Sequence, residues 1–71
     1  MSDTGMMEKE YKSKKTNSKF IVRGRKERAF LVVTGEAATN PKVAREVARI
    51  QTGGGTFSMV EWVARQFSLT Y

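Results

Sequence analysis

Two short apolar runs in the first half of the chain predict a β-hairpin. The first is KFIVR, residues 19–23, and the second is AFLVVT, residues 29–34. Both are rich in β-branched and aromatic residues, as strands are. Between them, Gly24 can take the positive φ that a hairpin loop or bulge requires. Phe20 and Phe30 are both candidates for the hairpin core, and we expect at least one of them to be buried there.

A helix is predicted over residues 41–51, after the hairpin. Asn40 followed by proline is a helix-start signal, because Asn caps the first turn and proline fits its first position. Val43, Val47 and Ile50 then recur at helical spacing, so we expect them to form one buried face.

The C-terminal segment, residues 56–68, fits a helix better than a strand. As a helix it presents a polar stripe made of Ser58, Glu61, Arg65 and Ser68. It would turn inward Met59, Val60, Val63 and Phe67. Ser58 and Glu61 have the spacing of a capping box, whereas Glu61 would interrupt the apolar face of a strand. The sequence therefore predicts an α+β fold of order ββαα, with ββαβ as the alternative.

The N-terminal segment has no periodic apolar pattern. Its apolar residues are Met1, Met6, Met7 and Tyr11. A segment of this composition cannot bury enough apolar area to offset the entropy lost on ordering. We therefore expect a disordered basic arm over residues 1–18 and a small α+β domain over residues 19–71.

Positive charge is concentrated between positions 12 and 28. The 71-residue chain has a net charge of +6, whereas this segment alone holds eight cations and one anion, Glu27. The cations are Lys12, Lys14, Lys15, Lys19, Arg23, Arg25, Lys26 and Arg28. A local excess of this size favours an anionic partner, and these residues are the predicted partner-binding set.

The residue types that the chain lacks argue against catalysis. There is no cysteine and no histidine, so the usual general base and the commonest metal ligands are missing. The glycine run 53–55 is not followed by the Lys-Ser/Thr of a phosphate-binding loop. We expect a non-enzymatic protein without a metal or cofactor. The chain has no apolar run of the roughly 20 residues that span a bilayer and no apolar signal region, so we expect a cytoplasmic protein without membrane contact.

Two classes of partner fit the charge. DNA or RNA fits because cations beside aromatic residues, as in Lys19-Phe20, can neutralise phosphates while a ring stacks on a base. Contacts to the backbone would carry little sequence specificity. The alternative is an acidic protein bound by a small basic adaptor, linker or inhibitor. A core this small also favours self-association, so a homo-oligomer is a further expectation.

One segment resembles a known family. Residues 49–56, RIQTGGGT, are similar to the helix-to-strand junction of small phycobilisome linker polypeptides. The resemblance implies a ββα-strand fold and docking onto acidic antenna proteins. The same basic profile suits a small phage-type protein that binds a host machine.

Overall fold

The computed structural model describes residues 5–71 as a three-stranded antiparallel sheet followed by two helices. The strands are β1, Met7–Lys12, β2, Lys19–Gly24, and β3, Ala29–Thr34. A short 3-10 helix, Glu36–Thr39, leads to α1, Pro41–Gly53, and α2, Phe57–Thr70. The sheet order is β1-β2-β3, and both helices pack on the same face of the sheet. The α+β class and the ββαα order after residue 18 are confirmed, and one strand is added before them.

The added strand corrects the expectation of a disordered arm over residues 1–18. Met7–Lys12 form β1, which pairs antiparallel with β2 along its whole length, while residues 1–4 lie outside the described residues. β1 is an edge strand whose backbone partners come from β2, so it needs little apolar sequence of its own. Tyr11 is the β1 residue that packs against the core.

Alternation along β2 and β3 gives the sheet two different faces. The inner face, which the helices cover, carries Phe20, Val22, Ala29 and Leu31, all of them at most 1% exposed. The outer face carries the residues between them, including Ile21, Arg23, Phe30 and Val32. Successive residues of a strand point to opposite faces. Phe20 is on the inner face of β2 and is buried, whereas Phe30 is on the outer face of β3 and is 46% exposed.

The predicted buried face of α1 is confirmed. Val43 and Ile50 are buried, and Val47 is partly buried against the core. The predicted start is also confirmed, because Asn40 Oδ1 accepts hydrogen bonds from the N–H groups of Lys42 at 2.9 Å and of Val43 at 3.4 Å.

The segment after the glycines is helical, so the ββαβ alternative is wrong. α2 begins at Phe57, and its cap is Thr56, whose Oγ1 accepts from Met59 N at 3.2 Å. The capping box expected at Ser58 is therefore wrong, and Met59, expected inside, is 59% exposed. The residues of α2 that are buried are Phe57, Val60, Ala64 and Ser68.

Two glycines with positive φ stand where the chain ends an element. Gly24 closes β2 at φ +144°, and a Cβ added there would lie 2.6 Å from the Cα of Ala29 on β3. Gly54 follows α1 at φ +77°, and its N–H donates to the carbonyl of Ile50 at 2.8 Å. Both positions therefore need the conformational freedom that only glycine has in full.

Candidate functional site

The structure divides the predicted partner-binding residues between opposite ends of the sheet. The first-turn cluster, at the turn between β1 and β2, contains Lys12, Lys14, Lys15 and Lys19. The second-turn cluster, at the turn between β2 and β3, contains Arg23, Arg25, Lys26 and Arg28. The two clusters lie at opposite ends of β2, a six-residue strand whose length is about 20 Å. The continuous basic segment of the sequence thus becomes two separate cationic surfaces.

Acidic residues of β1 neutralise one cation in each cluster. Glu8 Oε1 lies 3.5 Å from Arg23 Nε, and Glu10 Oε2 lies 3.3 Å from Lys19 Nζ. In the disordered arm expected from the sequence, neither acid would have a fixed partner, so these pairs are found only in the structure. Pairs this exposed contribute little to stability, but they reduce the charge offered to a partner. Among the residues of the two clusters, those that form no ion pair within residues 5–71 are Lys12, Lys14, Lys15, Arg25, Lys26 and Arg28.

The second turn is a well-ordered support for its cations. Arg25 and Arg28 exchange backbone hydrogen bonds of 2.8 and 3.2 Å, which close a tight turn. The carbonyl of Lys26 accepts from Phe57 N at 3.0 Å, so the tip is held against the start of α2. Glu27 is the one acid at this tip. Hydrogen bonds within the fold therefore fix the backbone that carries these cations.

The first turn is held by hydroxyl groups and by the end of α2. Ser13 Oγ accepts from Thr16 N at 3.0 Å, and Thr16 Oγ1 donates to the carbonyl of Tyr71 at 2.8 Å. Lys14 N donates to the carbonyl of Ser68 at 3.3 Å. A helix C-terminus carries partial negative charge, so the lysines of this turn also have a favourable electrostatic environment within the fold.

An open cavity lies on the outer face beside the second-turn cluster. It has a volume of about 530 Å³ and is lined by Met6, Arg23, Phe30, Val32 and Gln51. In the sheet, Phe30 stands directly opposite Arg23. Of these residues, Arg23 alone belongs to the predicted partner-binding set, because exposure of Phe30 depends on which face of the sheet the helices cover.

A second apolar surface lies on the exposed side of α2. The α2 stripe consists of Met59, Trp62 and Leu69, which are 59%, 63% and 53% exposed. Beside it a groove of about 410 Å³ separates α2 from the end of α1. Arg49 lines this groove and pairs with Glu46. The sequence did not predict this stripe, since Met59 was expected inside and the spacing of Phe57 and Trp62 suggested a hydrophobic staple at the start of the helix.

A polar cluster joins β1 to α2 on the inner side of the sheet. Tyr11 Oη donates to Glu61 Oε2 at 2.6 Å, and Lys9 Nζ lies 3.4 Å from the same oxygen. The hydrogen bond from Tyr11, assisted by Lys9, holds the pKa of Glu61 below its ordinary value. The same bond raises the pKa of Tyr11, with partial burial adding to the effect. These groups therefore connect the edge strand β1 to α2.

Comparison with protein-family models, with curated proteins and with solved structures returns no match. The strand that the phycobilisome-linker resemblance implied after the glycines is absent, because Phe57–Thr70 are helical. Within residues 5–71, no three acidic side chains group as metal ligands would. None of the helices in that range has the length and apolar character needed to cross a bilayer.

Proposed function

We propose that this protein is a non-enzymatic nucleic-acid-binding domain that contacts the phosphate backbone with both cation clusters. One observation carries the proposal. Cations without an ion-pair partner in residues 5–71 lie at both ends of an open sheet face that also exposes an aromatic ring, Phe30. Nucleic-acid partners are recognised by this combination of phosphate neutralisation and base contact.

The separation of the clusters suits a polyanion better than a small anion. Their distance of about 20 Å corresponds to about six nucleotide steps of a duplex strand at 3.4 Å each. Each phosphate neutralised by a lysine or arginine releases condensed counterions, so affinity falls with rising salt. Backbone contacts of this kind hold the ligand in place but read no sequence.

Charge-neutralising variants test the proposal. The second-turn variant replaces Arg25, Lys26 and Arg28 with Gln, and the first-turn variant replaces Lys12, Lys14 and Lys15 with Gln. The matched control replaces Lys42, Arg45 and Arg65 on the helices, which changes the net charge by the same amount. Affinity for labelled DNA or RNA is measured by fluorescence anisotropy over a range of salt concentrations. Each lost phosphate contact should lower the logarithmic salt slope by about 0.7–0.9.

The control variant decides how the result is read. We expect both turn variants to bind nucleic acid more weakly and with a lower salt slope, while the helix variant stays close to the wild type. Equal losses in all three variants would mean that only net charge matters, and the assignment of the two clusters would fail. Absence of binding by the wild type at low salt would reject the function itself.

An acidic protein partner is the second candidate, and the α2 stripe is the observation that favours it. Exposed Met59, Trp62 and Leu69 follow one side of the helix, and Arg65 on the same helix is exposed. Apolar contact beside cations is typical of a protein interface. A polyglutamate peptide tests this candidate against an oligonucleotide of matched charge. Tighter binding of the peptide, with a shift in the fluorescence of Trp62, would support it.

A further inference from the structure

The outer-face cavity brings several kinds of chemistry to one place. Phe30 and Val32 line it from β3, Arg23 from β2 and Gln51 from α1. Met6, just before β1, completes the lining. An exposed aromatic ring, a thioether, a guanidinium group and an amide therefore border one open volume at the end of the sheet where the second-turn cluster lies.

These groups match the parts of a nucleotide. Any base has a π-face that can stack on the ring of Phe30, and a thioether such as Met6 packs well against aromatic rings. The amide of Gln51 can both donate to and accept from a base edge. The guanidinium of Arg23 can bind a phosphate or stack on a base.

We infer that this cavity accepts one unpaired nucleobase, so that the ligand is single-stranded DNA or RNA. The inference rests on the proposed function and names the class of its ligand. A base within a duplex is stacked on its neighbours, and it reaches a pocket only if it is flipped out, which costs its stacking and pairing. A single strand reaches Phe30 without that cost, while its flanking phosphates contact the neighbouring second-turn cluster.

The charges of the outer face determine in which direction the nucleic-acid strand leaves the cavity. Glu8 and Glu10 occupy the β1 side of the outer face and repel phosphates there. On the β3 side, Val32 and Thr34 carry no charge, and the register places Thr34 opposite Lys19. The bound nucleic-acid strand therefore lies over β2 and β3, from the second-turn cluster to the first-turn cluster.

Substitution of Phe30 tests the base site. Phe30→Leu removes the ring and keeps the apolar bulk, while Phe30→Tyr keeps a ring. Trp62→Leu is the matched control, because it removes an exposed aromatic ring from a different surface. Each protein is titrated against a labelled single strand of about 12 nucleotides, within the usual range of site sizes, and against the same strand paired with its complement. Circular dichroism checks that each variant is folded.

We expect the wild type to prefer the single strand and Phe30→Leu to bind it about tenfold more weakly. Duplex binding should be unchanged, and both Phe30→Tyr and Trp62→Leu should bind like the wild type. Equal single-strand affinity of Phe30→Leu and wild type would overturn the base site but leave the backbone contacts standing. Failure of the wild type to bind either probe would instead reject the proposed function.

Two further readouts exclude other occupants of the face. In the double variant Phe30→Trp with Trp62→Leu, the sole tryptophan lies in the cavity, since the chain has one tryptophan. We expect a single strand to quench its fluorescence, and unquenched fluorescence at saturation would contradict the inference. Sedimentation of the wild type and of Phe30→Leu provides the last check. A dimer that Phe30→Leu converts to a monomer would show that a second copy covers this face.

Discussion

Phe20 and Phe30 lie on neighbouring strands of one sheet, yet Phe20 is fully buried and Phe30 is 46% exposed. Phe20 faces the helices, where its ring centroid lies 5.8 Å from that of Phe67. Phe30 faces outward opposite Arg23. The inner face thus uses an aromatic residue for stability, and the outer face leaves one available for a ligand. Residue types alone do not distinguish these roles, because the face is set by register.

The strongest test of the contrast between the two faces is a substitution of the buried Phe20. We expect Phe20→Ala to lower the free energy of unfolding by about 3–5 kcal/mol, because it removes a large core side chain. That loss approaches the total stability of a small domain. Phe30→Ala should change it by no more than about 0.5 kcal/mol, as most exposed positions do. Urea denaturation measures both, and similar midpoints would refute the assignment of the two faces.

Helix α1, which packs on the inner face, should show the same contrast between a buried and an exposed residue. Ile50→Ala on the buried side of α1 should cost about 2–5 kcal/mol. Arg45→Ala on its exposed side should cost less than about 0.5 kcal/mol. Thermal and urea unfolding of the two variants compare them directly. If Arg45→Ala proved as costly as Ile50→Ala, the assigned orientation of α1 would be wrong.

At the edge of the inner face, Tyr11→Phe tests how β1 is attached. Loss of the hydrogen bond to Glu61 should lower the free energy of unfolding by about 1 kcal/mol at neutral pH. Hydrogen exchange should also increase for the β1 amides that bond to β2. A variant with unchanged stability and unchanged exchange would show that β2 alone holds β1.

The pKa shifts of this pair give its pH dependence. The pKa of Glu61 is lowered. The stabilisation that Glu61 contributes is therefore present above the ordinary pKa of about 4.3 and is lost as pH falls through the lowered pKa. The pKa of Tyr11 is raised, so its contribution is present below about 10 and is lost as pH rises through the raised pKa. The difference in stability between wild type and Tyr11→Phe should therefore be largest between these limits.

The smallest change in stability is expected for the two acidic residues of the outer face, Glu8 and Glu10. Replacing Glu8 and Glu10 with Gln should alter the free energy of unfolding by no more than about 0.5 kcal/mol, since both ion pairs are exposed. It should nevertheless raise affinity for nucleic acid and steepen the salt slope, because Arg23 and Lys19 become free. Replacing Glu36 and Glu46 with Gln, both away from the strands, is the control that changes the net charge by the same amount. A control that gained as much affinity would assign the effect to net charge.

Local signals predicted the elements whose own residues carry a recognisable apolar or capping pattern. β3 spans the predicted residues, β2 extends one residue further, and α1 starts at its predicted cap, Asn40. β1 was missed because a strand such as Met7–Lys12 is ordered by pairing with β2, and its own residues carry no periodic apolar pattern. The cap of α2 was misplaced because Thr56 and Ser58 both fit a helix start, and packing of the buried Phe57 selects the earlier one.

The candidate site was predicted less completely than the fold. The sequence identified every cation of the two clusters, because charge is a property of composition and needs no structure to be counted. It could not show that Glu8 and Glu10 would face Arg23 and Lys19, or that the clusters would lie at opposite ends of β2. Both depend on strand register, which brings together residues that are distant along the chain.

Four features of the protein could be predicted from its sequence: the α+β class, the hairpin, the start of α1 and the excess of positive charge. Each of these follows from neighbouring residues, through periodicity, capping or composition. Only the tertiary structure decided that β1 joins the sheet, that Phe30 and the α2 stripe are exposed, and that Met6 and Gln51 meet at one cavity. Those outcomes depend on which surfaces the helices cover, and that choice is made by packing of the whole core.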